Sequence, residues 1–320
     1  MSTELNDQEM YDALIEEAPY SPNDGLLYGY HSSSPAWATS PNTTYRFGIE
    51  AEKEDSDGIM ICQAYQGDRQ QFLPHSWRAE RDGSLAHDGF ELISPVYNLN
   101  DDKYKEDLGN PVLNYLIHRN TSYRCGGHMT VSVRDKDQEW YTKKAAQIIP
   151  LLYALYPKRA KKRGYARFFN KDDYRDRYNA INLGSNDRME IRIFSAIKHM
   201  KQLEWRVELL KLLFVSDRYD DLKWESIYQD LLNTNSPLGK HIFSLYPKNY
   251  GEKVMLATAY HKAFEKQYME WKTYTRIRKL VPISVRSSMM VHPQPKKKNN
   301  NGTQLVLDVC DYSQERTTEA

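Results

Sequence analysis

Cysteine is scarce in this chain: there are three in 320 residues, Cys62, Cys125 and Cys310, and no two of them form a Cys-x-x-Cys pair. That argues against a cysteine zinc site and a disulfide framework, and it points to a reducing compartment, the cytoplasm. Long apolar runs are also missing, and the mean hydropathy is -0.77, so no membrane span is expected. Residues 1–20 lack a basic start and an apolar centre, and no secretory signal is read in them. The formal net charge is only +1, which gives no support to general nucleic-acid binding. There is no Gly-x-Gly-x-x-Gly and no regular alternation of strand and helix, which disfavours a doubly wound nucleotide-binding fold.

What is present divides the chain into zones. Residues 1–44 read as a short acidic helix followed by a turn-rich N-terminal extension. A single catalytic domain is expected over 45–281, with its sheet core over about 45–195 and a helical part over about 196–281. The pattern predicts helices near Asp137 to Tyr156, from about Ile197 to Tyr228, and from about Lys253 to Lys279. The tail, 282–320, reads as largely disordered, with a short strand at Leu305 to Val309. Strands first and helices later make the class α+β.

Several strands pair an apolar face with a polar one, because successive side chains of a strand point to opposite faces. In Arg46-Phe-Gly-Ile-Glu-Ala-Glu52, Phe47, Ile49 and Ala51 share one face, and Arg46, Gly48, Glu50 and Glu52 the other. Glu91 is embedded in the apolar run Gly89-Phe-Glu-Leu-Ile-Ser-Pro95, where a carboxylate needs a partner or a metal. His128, Thr130 and Ser132 face away from Met129, Val131 and Val133. A hairpin is expected from Arg177–Leu183 and Arg188–Phe194, with Glu190 and Arg192 on one face. Taken singly, each is an ordinary solvated face or salt bridge. Together, the acids, the histidine and the arginines suit a site for hard cations and polyphosphate.

This set of motifs, in this order, resembles the amidoligase family of the glutamine synthetase and γ-glutamylcysteine ligase superfamily. The stretches that carry the likeness are Phe47-Gly-Ile-Glu-Ala-Glu52, Asp82-Gly-Ser-Leu85, Gly89-Phe-Glu-Leu-Ile-Ser-Pro95, Gly127-His-Met-Thr-Val-Ser132 and Glu190-Ile-Arg-Ile-Phe194, spread over Tyr45 to Ser195, about half of the chain. The resemblance implies a curved antiparallel sheet of the glutamine-synthetase-like kind. It implies Glu50, Glu52, Glu91, His128 and Glu190 as metal ligands, His128 lying also near the phosphates of ATP. Arg192 and, as a lesser match, Arg177 would contact ATP and act in catalysis. Asp82 would lie near the substrate. ATP and about two or three Mg2+ ions, with Mn2+ as a substitute, would be the cofactors. The activity implied is joining a small-molecule, peptide or protein carboxylate to an amine through an acyl phosphate. Where the family often has a second histidine, this chain has Thr130.

Two rival readings keep the fold: a guanidino-kinase-like phosphotransferase and a catalytically inactive binding protein. A cysteine hydrolase built on Cys125 and His128 is disfavoured, because such pairs normally meet from distant segments. The basic run Lys158-Arg-Ala-Lys-Lys-Arg163 reads as a solvated loop or as a flap extended by Arg167 and Lys171.

Overall fold

The central strand of the computed structural model is β1 (Tyr45–Glu54), whose alternation is the one the sequence predicts: Phe47, Ile49 and Ala51 are buried on one face. The structure describes residues 6–19, 27, 36–66, 73–156, 159, 166–167, 175–184 and 187–245. The expected helix at 253–279, the strand at 305–309, Lys171 and all of the basic run except Arg159 lie outside the described residues.

Helix α1 (Asp7–Glu16) opens the described chain with a capping box between Asn6 and Glu9. After β1 comes α2 (Ser56–Tyr65), then the short strands β2 (Arg78–Glu80), β3 (Gly89–Ile93) and β4 (Tyr97–Asn98). Helices α3 (Lys103–Leu108) and α4 (Pro111–Ile117) lead to β5 (Gly127–Val133) and α5 (Gln138–Leu155). Strands β6 (Ile181–Asn182) and β7 (Met189–Ile191) precede α6 (Met200–Phe214), α7 (Trp224–Leu232) and α8 (Pro237–Leu245). The sheet is open and its pairings are antiparallel, in the order β2-β3-β1-β5-β7-β6, with β4 also on β1. The class is α+β, but the strands-first order read from sequence is corrected: α2, α3, α4 and α5 lie between strands, and only α6, α7 and α8 follow the last one.

The apolar side of the sheet packs on aromatics and helices. The Phe47 ring meets Tyr97 and Tyr104, each at a centroid distance of 5.6 Å. Tyr141 of α5 ties its hydroxyl to Val133 at the end of β5, accepting from the backbone nitrogen at 2.7 Å. Arg206 of α6 is fully buried and donates to the Ser195 carbonyl at 2.7 Å and to Ser195 Oγ at 2.9 Å. Ser195 in turn bridges Gly126, so α6 holds the start of β5 in place. Lys53 also points to the interior and is buried; its ammonium donates to the carbonyls of Ile117, Arg119 and Ile197.

Two further expectations are corrected. The long helix read over 197–228 is broken into α6 and α7 by the 3-10 turn Asp217–Tyr219. Ser216 caps that turn, and Leu222 adopts a positive φ of 54° before α7 starts. The hairpin strands are shorter than read, because the amides of Arg192 and Ile193 both bond to the Ala180 carbonyl, at 2.9 and 3.1 Å, and the ladder ends there. The helix read near Asp137 to Tyr156 is α5. No helix among the described residues is long and apolar enough to cross a membrane.

Asp55 joins two of these elements. It caps α2 by accepting from Gly58 N at 2.8 Å, and it accepts from Asn120 N and Nδ2 at 3.1 and 2.8 Å. Asp55→Ala removes the cap and leaves buried amides unpaired. The expected loss is about 2 kcal/mol of unfolding free energy, read by urea denaturation.

Candidate metal and anion cleft

Register turns the polar faces of separate strands into rows across one surface. Glu50 stands opposite His128 on one side and Ile93 on the other. Gly48, Thr130, Glu190 and Asn182 form the next row. Glu80, Glu91 and Glu52 form a third. The acids named from sequence thus share one face of the sheet, although they come from different strands. A cleft of about 580 Å³ opens on this face, and Glu50, Glu190 and Arg192 are part of its lining.

His128 is the hub. Its Nδ1 lies 3.4 Å from Glu50 and 3.7 Å from Glu190, and its Nε2 lies 3.5 Å from Glu52. Burial pulls its pKa down, but the Glu52 carboxylate, helped by Glu50 and Glu190 and opposed by Arg192, outweighs burial, and the net direction is up. Donor atoms of Glu50, His128 and Glu190 all lie within 4.8 Å of one another. Glu52 is fixed separately by the Gly126 amide, which donates to it at 2.5 Å. Gly126 has a steric reason: a Cβ there would lie 2.4 Å from His128 Nε2, so any side chain would push the imidazole out of the cluster.

Glu91 is buried beside other carboxylates. Burial, followed by the charges of Glu50, Asp82, Glu52 and Glu80, pushes its pKa up to about 9. A group of like charges on a half-buried surface is costly without a countercharge, which is the setting in which carboxylates take a cation. Glu190 is held by two neighbours: Arg192 pairs with one oxygen, and Asn182 Nδ2 donates to the other at 3.0 Å.

The remaining sequence candidates lie elsewhere. Asp82 sits in an exposed turn, where it accepts from Ser84 N at 2.8 Å and Ser84 Oγ at 2.9 Å; its charge reaches Glu91 but it does not line the cleft. Arg177 is exposed and donates to Tyr178 Oη at 2.7 Å, outside the cleft lining. Arg159, in the basic run, donates to the Cys125 carbonyl at 3.2 Å, and Arg167 pairs with Asp176 at 3.3 Å. The Cys125 thiol is buried, and burial raises its pKa, which suits packing better than nucleophilic attack.

Other lining residues were not singled out from sequence: Trp37, Arg78, Ser94, Asn182 and Arg188. Asn182 alternates with the buried Ile181, a signal that a period-2 reading of that strand contains. Trp37 lies in irregular chain, where no periodicity marks a face. Three polar atoms of the lining, Arg46 Nε, Arg192 Nε and Asn182 Oδ1, are buried without a hydrogen-bond partner.

Comparison with known proteins gives no match: no family model, no curated protein and no solved structure matches this chain.

Proposed function

We propose that this chain is an ATP- and Mg2+-dependent carboxylate–amine ligase with the glutamine-synthetase-like catalytic fold of the amidoligases. The observation that carries the reading is the Glu50–His128–Glu190 cluster, with donor atoms within 4.8 Å of one another; Glu50, Glu190 and Arg192 line the cleft, and His128 is buried behind them. Two carboxylates offer the oxygen donors that a hard divalent ion takes, and the imidazole adds a nitrogen beside them. These three residues would hold one ion, and Glu52 and Glu91 are the donors for a further one. When bound, Mg2+ supplies charge neutralisation at the phosphoryl group being transferred.

The chain's own residues do the rest. Asn182 and Arg192 fix the Glu190 carboxylate from both sides. Arg192 keeps a buried Nε without a partner, a charge-assisted donor for a phosphate oxygen. Gly48 keeps the floor low between the acids and the far end of the cleft, since a Cβ there would meet only Ser94 Oγ at 3.9 Å. In the reaction, a substrate carboxylate oxygen attacks the γ-phosphorus and ADP leaves. The amine nitrogen would then attack the acyl carbon, phosphate would leave, and the nitrogen would lose a proton to give the neutral amide. No protein nucleophile is required, and catalysis comes from positioning and preorganised charge.

Calorimetric titration with Mg2+ and a non-hydrolysable ATP analogue tests this. Magnesium-dependent binding in the wild type that Glu50→Gln weakens is the expected result; no binding in the wild type would overturn the reading. ADP release with a phosphorylated amine as product, in place of an amide, would move the assignment to phosphotransfer. Gly48→Val offers an independent check. β-Branched residues suit strands and the site has room for the Cβ, so the melting temperature is expected to hold or rise slightly. The added methyls would occupy the cleft, and nucleotide affinity is expected to fall about tenfold or more.

A further inference from the structure

One end of the cleft is not used by the acidic cluster. Arg46 on β1 faces Ser132 on β5, and Val131 faces Met189 on β7. Arg188 immediately precedes β7, one residue beyond the last ladder pair, so it follows the row in which Arg46 faces Ser132, and all three residues line the cleft. Arg46 and Glu50 are four residues apart on one strand, so this row stands roughly 13 Å from Glu50, with the Gly48–Thr130–Glu190 row roughly 6–7 Å away between them.

The two arginines are unlike the others in the cleft. Arg192 is paired with Glu190, and Arg78 with Glu80 at 2.9 Å. Among the described residues neither Arg46 nor Arg188 makes a salt bridge or a side-chain hydrogen bond, and Arg46 Nε is buried without a partner. Asp187, the acid next to Arg188 in the lining, pairs with neither of them among the described residues. The Arg46 guanidinium lies 5.6 Å from the centroid of the Trp37 ring, which is 43% exposed at the cleft. An arginine backed by an aromatic ring is held in orientation while its fork of donors remains available for an oxyanion. Ser132 adds a hydroxyl between the two cations.

The geometry points to an anion subsite at Arg46, Ser132 and Arg188 that binds a carboxylate or phosphate group of the substrate. The carboxylate substrate would then be at least dianionic, with one acid group at the acidic cluster for activation and a second at this row. The identity of the reacting end rests on the ligase reading; the anion subsite does not, because its three residues are separate from the metal cluster.

The test separates the two. Inorganic phosphate and glutarate, a dicarboxylate, are titrated into the full chain without nucleotide, beside wild type, Arg46→Gln, Arg188→Gln and Glu50→Gln. The expected result is saturable binding of phosphate, weakened about tenfold or more by either arginine substitution and not weakened by Glu50→Gln. Tighter binding of glutarate than of acetate would assign the subsite to a carboxylate; phosphate binding well above glutarate would assign it to a phosphoryl group. In turnover assays each arginine variant should raise KM for a dianionic acceptor and leave KM for ATP unchanged. Phosphate affinity that is equal in wild type and both arginine variants overturns the subsite. Subsite binding that survives while Mg2+-nucleotide binding is absent overturns the ligase reading alone. Arg46 lies on β1 and Arg188 just before β7, so a fold defect in one variant, seen in its melting curve, leaves the other to decide.

Discussion

Under the proposed ligase reading, Glu50→Gln is expected to cut ATP turnover by about a thousandfold or more, because a carboxylate that holds a divalent ion cannot be replaced by an amide of the same shape. The side chain is 29% exposed, and the cluster keeps Glu52 and Glu190 around His128, so the melting temperature should stay within about 2 °C of wild type. An ADP-release assay with varied Mg2+ checks it. Glu139→Gln serves as the control: Glu139 forms an exposed pair with Lys143, four residues on in α5, and its loss should leave turnover unchanged. If Glu50→Gln turns over ATP as fast as Glu139→Gln, the acidic cluster is not the metal site.

Lys53→Met is expected to have the largest effect on stability. The ammonium of Lys53 donates to the carbonyls of Ile117, Arg119 and Ile197, joining β1 to the end of α4 and to the segment before α6. Methionine fills similar space but leaves three buried acceptors without a donor, a loss of about 3 kcal/mol or more in urea unfolding. The pH dependence has a definite sign. Burial lowers the Lys53 pKa from 10.5 to about 7, so over that window the unfolded chain binds the proton that the folded chain has released. Burying the charged form penalises folding below the window, and the penalty lifts as pH rises. The stability gap between wild type and Lys53→Met should therefore widen from pH 7 to pH 9. A gap that narrows over this range would falsify the depressed pKa.

The polar faces of single strands were legible from alternation, since Glu50 and Glu52 fall opposite Phe47, Ile49 and Ala51 whatever their partners are. The rows were not. That Glu50 meets His128, or that Arg46 and Arg188 flank Ser132, depends on register between strands far apart in sequence, which one strand's pattern does not encode. Lys53 escaped notice because it occupies a position on the apolar face of β1, where alternation calls for a hydrophobe. The break between α6 and α7 was hidden because apolar residues continue through it; the signal lies in Ser216 and in Asp217, Asp220 and Asp221. Asp82 and Arg177 show the reverse: a motif match alone does not bring a residue into the cleft.

The order of strands also shapes how the chain reaches this structure. β1 and β5 are neighbours in the sheet, yet α2, β2, β3, β4, α3 and α4 lie between them along the chain, and β7 joins only after α5. Each link of the Glu50–His128–Glu190 cluster therefore requires a long loop to close before any contact repays it, a cost that slows folding. The cleft should be among the last features to form after dilution from urea. Nucleotide-analogue binding followed by stopped flow would then lag behind helix formation, and a helical intermediate with an unpaired β1 edge would be the species most prone to aggregate.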